Sequence, residues 1–381
     1  MPDIDLTETA EEIRQSFTPR YDEVVGRAAR RRRWRAWLAG LAVAVLGGGL
    51  AVGLATTAAG PPDPAPVPLP PGLANGPMVA GDSAHLYQVF QPCADGPCLE
   101  PQQVAVSSDL GHTWTLRAGP GSPDHGVEVL AAAGPAVLAV NHGGQVSAPT
   151  RWVSTDAGST WRPAAVERGI LPSTLPTAFV LDDRLTVLDA ASGVLTSDSR
   201  PLPLRQARFV TSTRPDGVWR IVGYRTERPA PMSNTSAVEG VDLAIAESTD
   251  GGRLWDVRSL PRDAGFGEIV TADGTDLYAG YRGAGTVEIF VSRDAGRTWT
   301  AGATVAATTA NLLATREGSL YVATPAGVLR STDHGRTLGP SELDTTHTPS
   351  FQVTPDGYLA ATWHTVNAWW SEDGVTWREI L

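Results

Sequence analysis

Two patterns of apolar positions divide the chain. Residues 36–59 read AWLAGLAVAVLGGGLAVGLATTAA, 24 positions without a charge. A helix needs about 20 apolar residues to cross the hydrocarbon core, so this stretch predicts a single transmembrane helix. From residue 76 onward the pattern changes to short apolar runs broken by turn residues. The C-terminal unit parses as PSFQVT (349–354), the turn PDG (355–357), YLAATWH (358–364), NAWWS (367–371) and TWREIL (376–381). An upstream unit parses in the same way, as GEIVTA, a DG turn, DLYAGYR, TVEIFVS and TWTAGA. Apolar residues alternate or run together within each segment, as in strands of sheets packed face to face. Each unit therefore predicts four antiparallel strands.

Between the third and fourth strands an octad recurs. Full copies are SSDLGHTW at 107–114, STDAGSTW at 154–161, STDGGRLW at 248–255, SRDAGRTW at 292–299 and STDHGRTL at 331–338. A copy one residue shorter, SEDGVTW, stands at 371–377, and a decayed copy, TSDSRPL, at 196–202 keeps the Asp but not the Gly or Trp. The intervals between starts are 47, 42, 52, 44, 39 and 40 residues. Four-stranded units at a period of about 40–50 are the spacing of β-propeller blades. The prediction is an all-β, seven-bladed propeller. The count of seven includes the decayed copy, so six or eight blades stay open. The register runs the first blade over about 77–119 and the last over 348–381. All four strands of each blade then come from contiguous sequence. No strand is exchanged between first and last blade, which leaves packing to seal the ring.

The octad has the chemistry of a folded hairpin turn. An Asp carboxylate can accept backbone N–H groups one and two residues on. Gly supplies positive φ, Ser and Thr add side-chain to backbone bonds, and Trp buries apolar area between sheets. These octads resemble Asp boxes, or BNR repeats, found in sialidases, sortilin-type receptors and photosystem II assembly factors. The resemblance covers about residues 76–381. It implies structural roles for Asp109, Gly111, Trp114, Asp156, Gly158, Trp161, Asp250, Gly252, Trp255, Asp294, Gly296, Trp299, Asp333, Gly335, Asp373, Gly374 and Trp377, and for Asp198 of the decayed copy.

Similarity to sialidases also implies an enzymatic alternative. Those enzymes hold a substrate carboxylate with three arginines and pair a Tyr nucleophile with a Glu and an Asp. A [FY]-R-I-P motif precedes their first box. It is absent here; the nearest string is Trp219-Arg220-Ile221-Val222 in mid-chain, and no spacing singles out Tyr224, Tyr281 or Glu227. Octad aspartates spread around a ring lie blade widths apart, whereas paired glycosidase carboxylates need about 5–9.5 Å. The octads also lack the second loop carboxylate of a calcium site. The favoured reading is a non-catalytic binding, scaffold or assembly module without cofactor or metal. An exo-sialidase-like glycoside hydrolase and a receptor-like sensor are the alternatives.

Alternation of hairpins sorts the connections onto two faces. The first-to-second-strand turns share a face with the octads and are short. The opposite face carries the long segments 91–102 (QPCADGPCLEPQ), 142–150 (HGGQVSAPT) and 226–240 (TERPAPMSNTSAVEG). Function on a rigid scaffold concentrates in such loops. Candidate ligand-face residues are His142, Arg225, Glu227, Arg282 and His364. Cys93 and Cys98 are the only cysteines. Outside the cytoplasm that pair would oxidise to a local disulfide staple.

Charge refines this picture. The chain of 381 residues has net charge −11. Residues 1–35 hold eight Arg against seven acids, and the remainder 22 against 34. An acidic domain argues against nucleic acid as partner, because phosphate binding needs clustered positive charge. Arg27, Arg30–Arg33 and Arg35 flank the apolar stretch on its N-terminal side and predict a cytoplasmic N-terminus with the C-terminal domain outside. A cleaved signal peptide, with Thr57-Ala58-Ala59 before the cut, is the competing reading. The predicted organisation is a cytoplasmic tail (1–35), a transmembrane helix (36–59), a Pro-rich linker (60–75) and the propeller (76–381). It places the protein in the cell membrane as a single-pass chain. The partner would be a protein, peptide or cell-wall glycan outside the cytoplasm.

Overall fold

The computed structural model describes residue 69 and residues 72–92, 101–121, 126–142, 149–171, 178–210, 218–225, 243–262, 266–343, 345, 347–362 and 367–380. These all belong to one compact unit, Pro64–Leu381; residues 1–63 lie outside the described residues. The predicted span 36–59 is therefore outside them too. Among the described residues no helix is long and apolar enough to cross a membrane.

The strands form seven separate sheets, each contributing one blade of an all-β propeller. Middle strands are buried on both faces, as in Leu243–Ser248 and Leu320–Thr324, which explains their unbroken apolar runs. Rim strands such as Thr115–Ala118 and Asp256–Ser259 are half exposed. Among the described residues there is no central core. Apolar clusters instead fill every junction between neighbouring blades.

The octad turn is more tightly bonded than its sequence suggested. In the blade-five copy the Ser292 Oγ–H donates to Asp294 Oδ1 (2.8 Å) while accepting the Gly296 N–H (2.8 Å). The Thr298 N–H and Oγ1–H donate to Asp294 Oδ1 and Oδ2 at 2.8 and 2.7 Å. The carboxylate thus accepts four residues on in the full octads. Acceptance two residues on occurs in the short copy, from Val375, and in the decayed copy, from Arg200. Position five of the full octads is Gly with φ between +73° and +87°, and in the short copy Gly374, at position four, has +72°. Position four shares that conformation even as Leu110, Ala157, Ala295 or His334. For an L-residue this costs roughly 1 kcal/mol. A backbone bond offsets the cost: Ala295 N–H donates to Thr275 O (3.0 Å), tying the octad to the inner turn of its own blade. The short turns and the octads therefore share one face.

These bonds hold the octad carboxyls low. Thr160 and Thr298 hold Asp156 and Asp294 at about 2, and backbone N–H groups led by Thr376 do the same for Asp373. A carboxyl lowered in the folded state contributes stability that is present above its ordinary value of 3.8 and lost as pH falls. Denaturation midpoints should fall steeply from pH 4 to pH 2. Thr298→Val should move that acid limb to higher pH; an unmoved limb would show that the octads do not set it.

Blade three departs from the expected contiguous order. Its rim strand is Val166–Gly169, which precedes the blade's other strands and pairs parallel with Leu195–Asp198. The decayed octad explains the substitution. Arg200 stands where the others have their positive-φ Gly, and Pro201 follows. The chain cannot fold back, so it passes directly to Arg205–Phe209, the inner strand of blade four. Arg200 meanwhile grips the Asp198 carboxylate through Nε (2.8 Å) and Nη2 (2.6 Å).

Blade one closes the ring. Its inner strand comes in two pieces, Gly72–Ala74 and Val79–Ala80, both antiparallel to Leu86–Pro92. The first piece falls within the segment read as linker. Among the described residues no strand is exchanged with blade seven. The seam is an apolar cluster that includes Leu86, Phe90, Trp114, Leu359 and Trp370. A reciprocal pair adds to it: Ala80 N–H donates to Gln352 Oε1 (2.8 Å) and Gln352 Nε2 donates to Ala80 O (3.0 Å). Gln352→Leu removes both and should cost about 1–2 kcal/mol in thermal unfolding. No loss would mean that the apolar cluster seals the seam alone.

Candidate functional site

The inner strands of the seven blades enclose an axial cavity of about 460 Å³. Its walls are mainly apolar, including Met78, Ala131, Phe179, Val210, Leu312 and Phe351. The four polar neutral side chains of the lining are already engaged. Thr271 Oγ1–H donates to Asp276 O (2.7 Å), Ser350 Oγ–H to Ala361 O (3.1 Å) and Thr354 Oγ1–H to Gly357 O (3.1 Å), while Gln352 bonds Ala80. Among the described lining residues Glu268 is the one titratable side chain.

Glu268 stands on the inner strand Phe266–Thr271 of blade five. Its Oε2 accepts the Leu312 N–H of blade six at 2.7 Å, tying one inner strand to the next. Glu268 is one of the residues lining the cavity. Enclosure desolvates the carboxyl and pushes it up to about 7; the Leu312 bond and the charges of Arg208 and Arg282 oppose that rise only in part.

A second polar cluster crosses blade four. Arg220, Glu247 and Asp256 occupy one row on adjacent strands. Arg220 Nε donates to Glu247 Oε1 (2.7 Å) and Arg258 Nη1 to Glu247 Oε2 (2.7 Å). Arg258 also reaches Asp256 and the Ala295 carbonyl of blade five. Arg220 and Glu247 are 3% and 8% exposed, so the cluster faces packed protein. The nearest counterpart to a sialidase arginine motif is thus a structural ion pair. Tyr281, 1% exposed, is equally enclosed.

Of the residues predicted for the loop face, His142, Arg225 and Arg282 fall within the described structure, on blades two, four and five. His142 lies just beyond the second strand of blade two, exposed, with its ring Nε2 2.9 Å from Glu128 Oε2. Arg225 follows the second strand of blade four and its Nη2 donates to Val257 O (3.4 Å). Arg282 ends the second strand of blade five, and its charge acts on Glu268. Glu227, His364, Cys93 and Cys98 lie outside the described residues, as do the interiors of all three long loops. Sequence reasoning missed Glu268, although a signal was there: a charged residue inside the inner-strand run GEIVTA. It missed the Arg220–Glu247–Arg258 cluster because the partners stand far apart in sequence.

No protein-family model matches the chain, and no curated protein does. Among solved structures it is similar to "YCF48 bound to D1 peptide", at 15% identity and TM-score 0.46, over 83% of this chain and 94% of that one. YCF48 from Cyanidioschyzon merolae gives 14% and 0.46, over 82% and 97%. The β-propeller domain of the Trilobed protease from Pyrococcus furiosus, described as an open velcro topology, gives 11% and 0.45, over 82% and 98%. The likeness is one of fold.

Proposed function

We propose that this chain is a membrane-anchored, extracytoplasmic binding module of the Asp-box kind, whose loop face captures a protein or peptide. One observation carries the reading. The octad carboxylates are occupied in their own turns, so the octad face is a closed structural surface. The described strand ends that lead into the long segments, Pro92, Asn141 and Tyr224, stand at the end of the same rigid blades opposite the octads. A ring packed blade to blade holds the ends of these segments at fixed separations, which lowers the ordering cost of binding an extended partner. The apolar stretch 36–59 and its Arg flank supply the anchor and its orientation.

Cross-linking and affinity recovery from membranes tests this. The full chain should enrich a defined protein that a variant shortened within 226–240 loses at least tenfold. A variant altered on the octad face, Arg297→Ala, should retain it. Equal recovery by all three chains would overturn the choice of face. A soluble, untethered full-length chain would overturn the anchor.

A further inference from the structure

We propose that the axial cavity is a binding site for a small primary amine, an ammonium group on an apolar body, with Glu268 as its counter-ion. The argument begins with what the inner strands require. Thr271 ends the inner strand of blade five, and Thr315 and Thr354 directly follow those of blades six and seven, each accepting a backbone N–H of its turn. Three residues before them stand Glu268, Leu312 and Phe351. An apolar side chain therefore serves at this register in both following blades. The packing does not call for a carboxyl.

The carboxyl is also half-committed. Oε2 takes the Leu312 N–H, whereas Oε1 has no hydrogen-bond partner among the described residues. It belongs to a wall whose other polar side chains are all engaged internally. A cavity of about 460 Å³ falls in the range of small-molecule sites, and such sites pair apolar walls with few polar anchors. Enclosed by protein, the carboxylate attracts a cation far more strongly than it would in water. Arg208 and Arg282 do not line the cavity. Their charges favour the ionised carboxyl, which is the form an ammonium needs.

The choice of an amine follows from the donor inventory. An ammonium offers three N–H donors and full charge, and its alkyl stem matches the Val, Leu, Ala and Phe walls. A carboxylate ligand would face Glu268 with like charge. A neutral alcohol could donate one bond without charge attraction.

Titration calorimetry on the full chain tests the site with n-butylammonium, n-butanol and butyrate. At pH 8 the ammonium should bind at least tenfold tighter than butanol, and butyrate should not bind. Between pH 8 and pH 5.5 ammonium affinity should fall at least tenfold as Glu268 takes up a proton, while butanol is unaffected. In Glu268→Gln the preference for ammonium over butanol should vanish. Ammonium binding no tighter than butanol, or equal in the variant, would overturn the proposal. The pH series uses the unaltered chain, so it stands whether or not the variant folds. Loss of this site would leave partner capture by the loop face intact, and the two readings fail separately.

Discussion

Glu247→Gln should destabilise the propeller by about 3–5 kcal/mol, measured as a shift of the denaturant midpoint followed by tryptophan fluorescence. The reason is burial without compensation. The Glu247 carboxylate sits between Arg220 and Arg258, accepting from each at 2.7 Å. Taking the negative charge away removes the Glu247 carboxylate from Arg220 in a packed junction and leaves Arg258 with Asp256 as its remaining carboxylate, and breaking a buried pair by removing one partner costs several kcal/mol. A neutral Gln can accept from one of them but cancels neither charge. Replacing Arg220 and Arg258 by Met along with Glu247→Leu should recover part of the loss, because apolar residues of similar volume remove the desolvation problem. A loss below about 1 kcal/mol in the single variant would mean that water reaches the cluster.

The second large effect has the opposite sign. Glu268→Gln should stabilise the ring by about 2–3 kcal/mol at pH 8 and change little at pH 4. The folded ring holds Glu268 at about 7, against an ordinary value of 4.5. Between those values the folded state keeps a proton that the unfolded chain has released. Stability is therefore fully present below pH 4.5 and declines as pH rises through 7. The complete penalty is roughly 3 kcal/mol. Gln keeps an acceptor for the Leu312 N–H and has no charge to desolvate. Combined with the acid limb of the octads, this places maximum stability near pH 4–5 for the native chain. The variant should hold a plateau from there to pH 8. An identical neutral slope in both proteins would assign that slope to some other group.

The octads made the architecture readable because each residue type answers one geometric demand of the turn. Asp takes two donors from one Thr, Ser bridges carboxylate and Gly N–H, and Gly accepts the left-handed φ. A motif with so many local constraints leaves a strong trace in sequence. Where the trace fades, at 196–202, the strand order changes as well, and the parallel rim strand Val166–Gly169 had no sequence signature. Its short exposed run, VERG, has the composition of a loop. Pairing to a distant partner is what makes it a strand. The same limit applies to the interior. The channel carboxyl stood in plain view within an apolar strand, but its environment is created by six other blades. The Arg220–Glu247 pair depends on register between strands separated by the long 226–240 segment. Candidates on the loop face were chosen by their position at strand ends.

The seam between blades one and seven has a consequence for assembly. Because no described strand crosses it, closing the ring is an intramolecular association between two complementary surfaces on one chain. Tethered ends meet at an effective concentration that is high but finite, about millimolar for flexible connections. When chains are refolded above that concentration, blade one of one chain competes for blade seven of another. The product is a closed, domain-swapped pair that keeps every native contact. Its yield measures the strength of the seam directly.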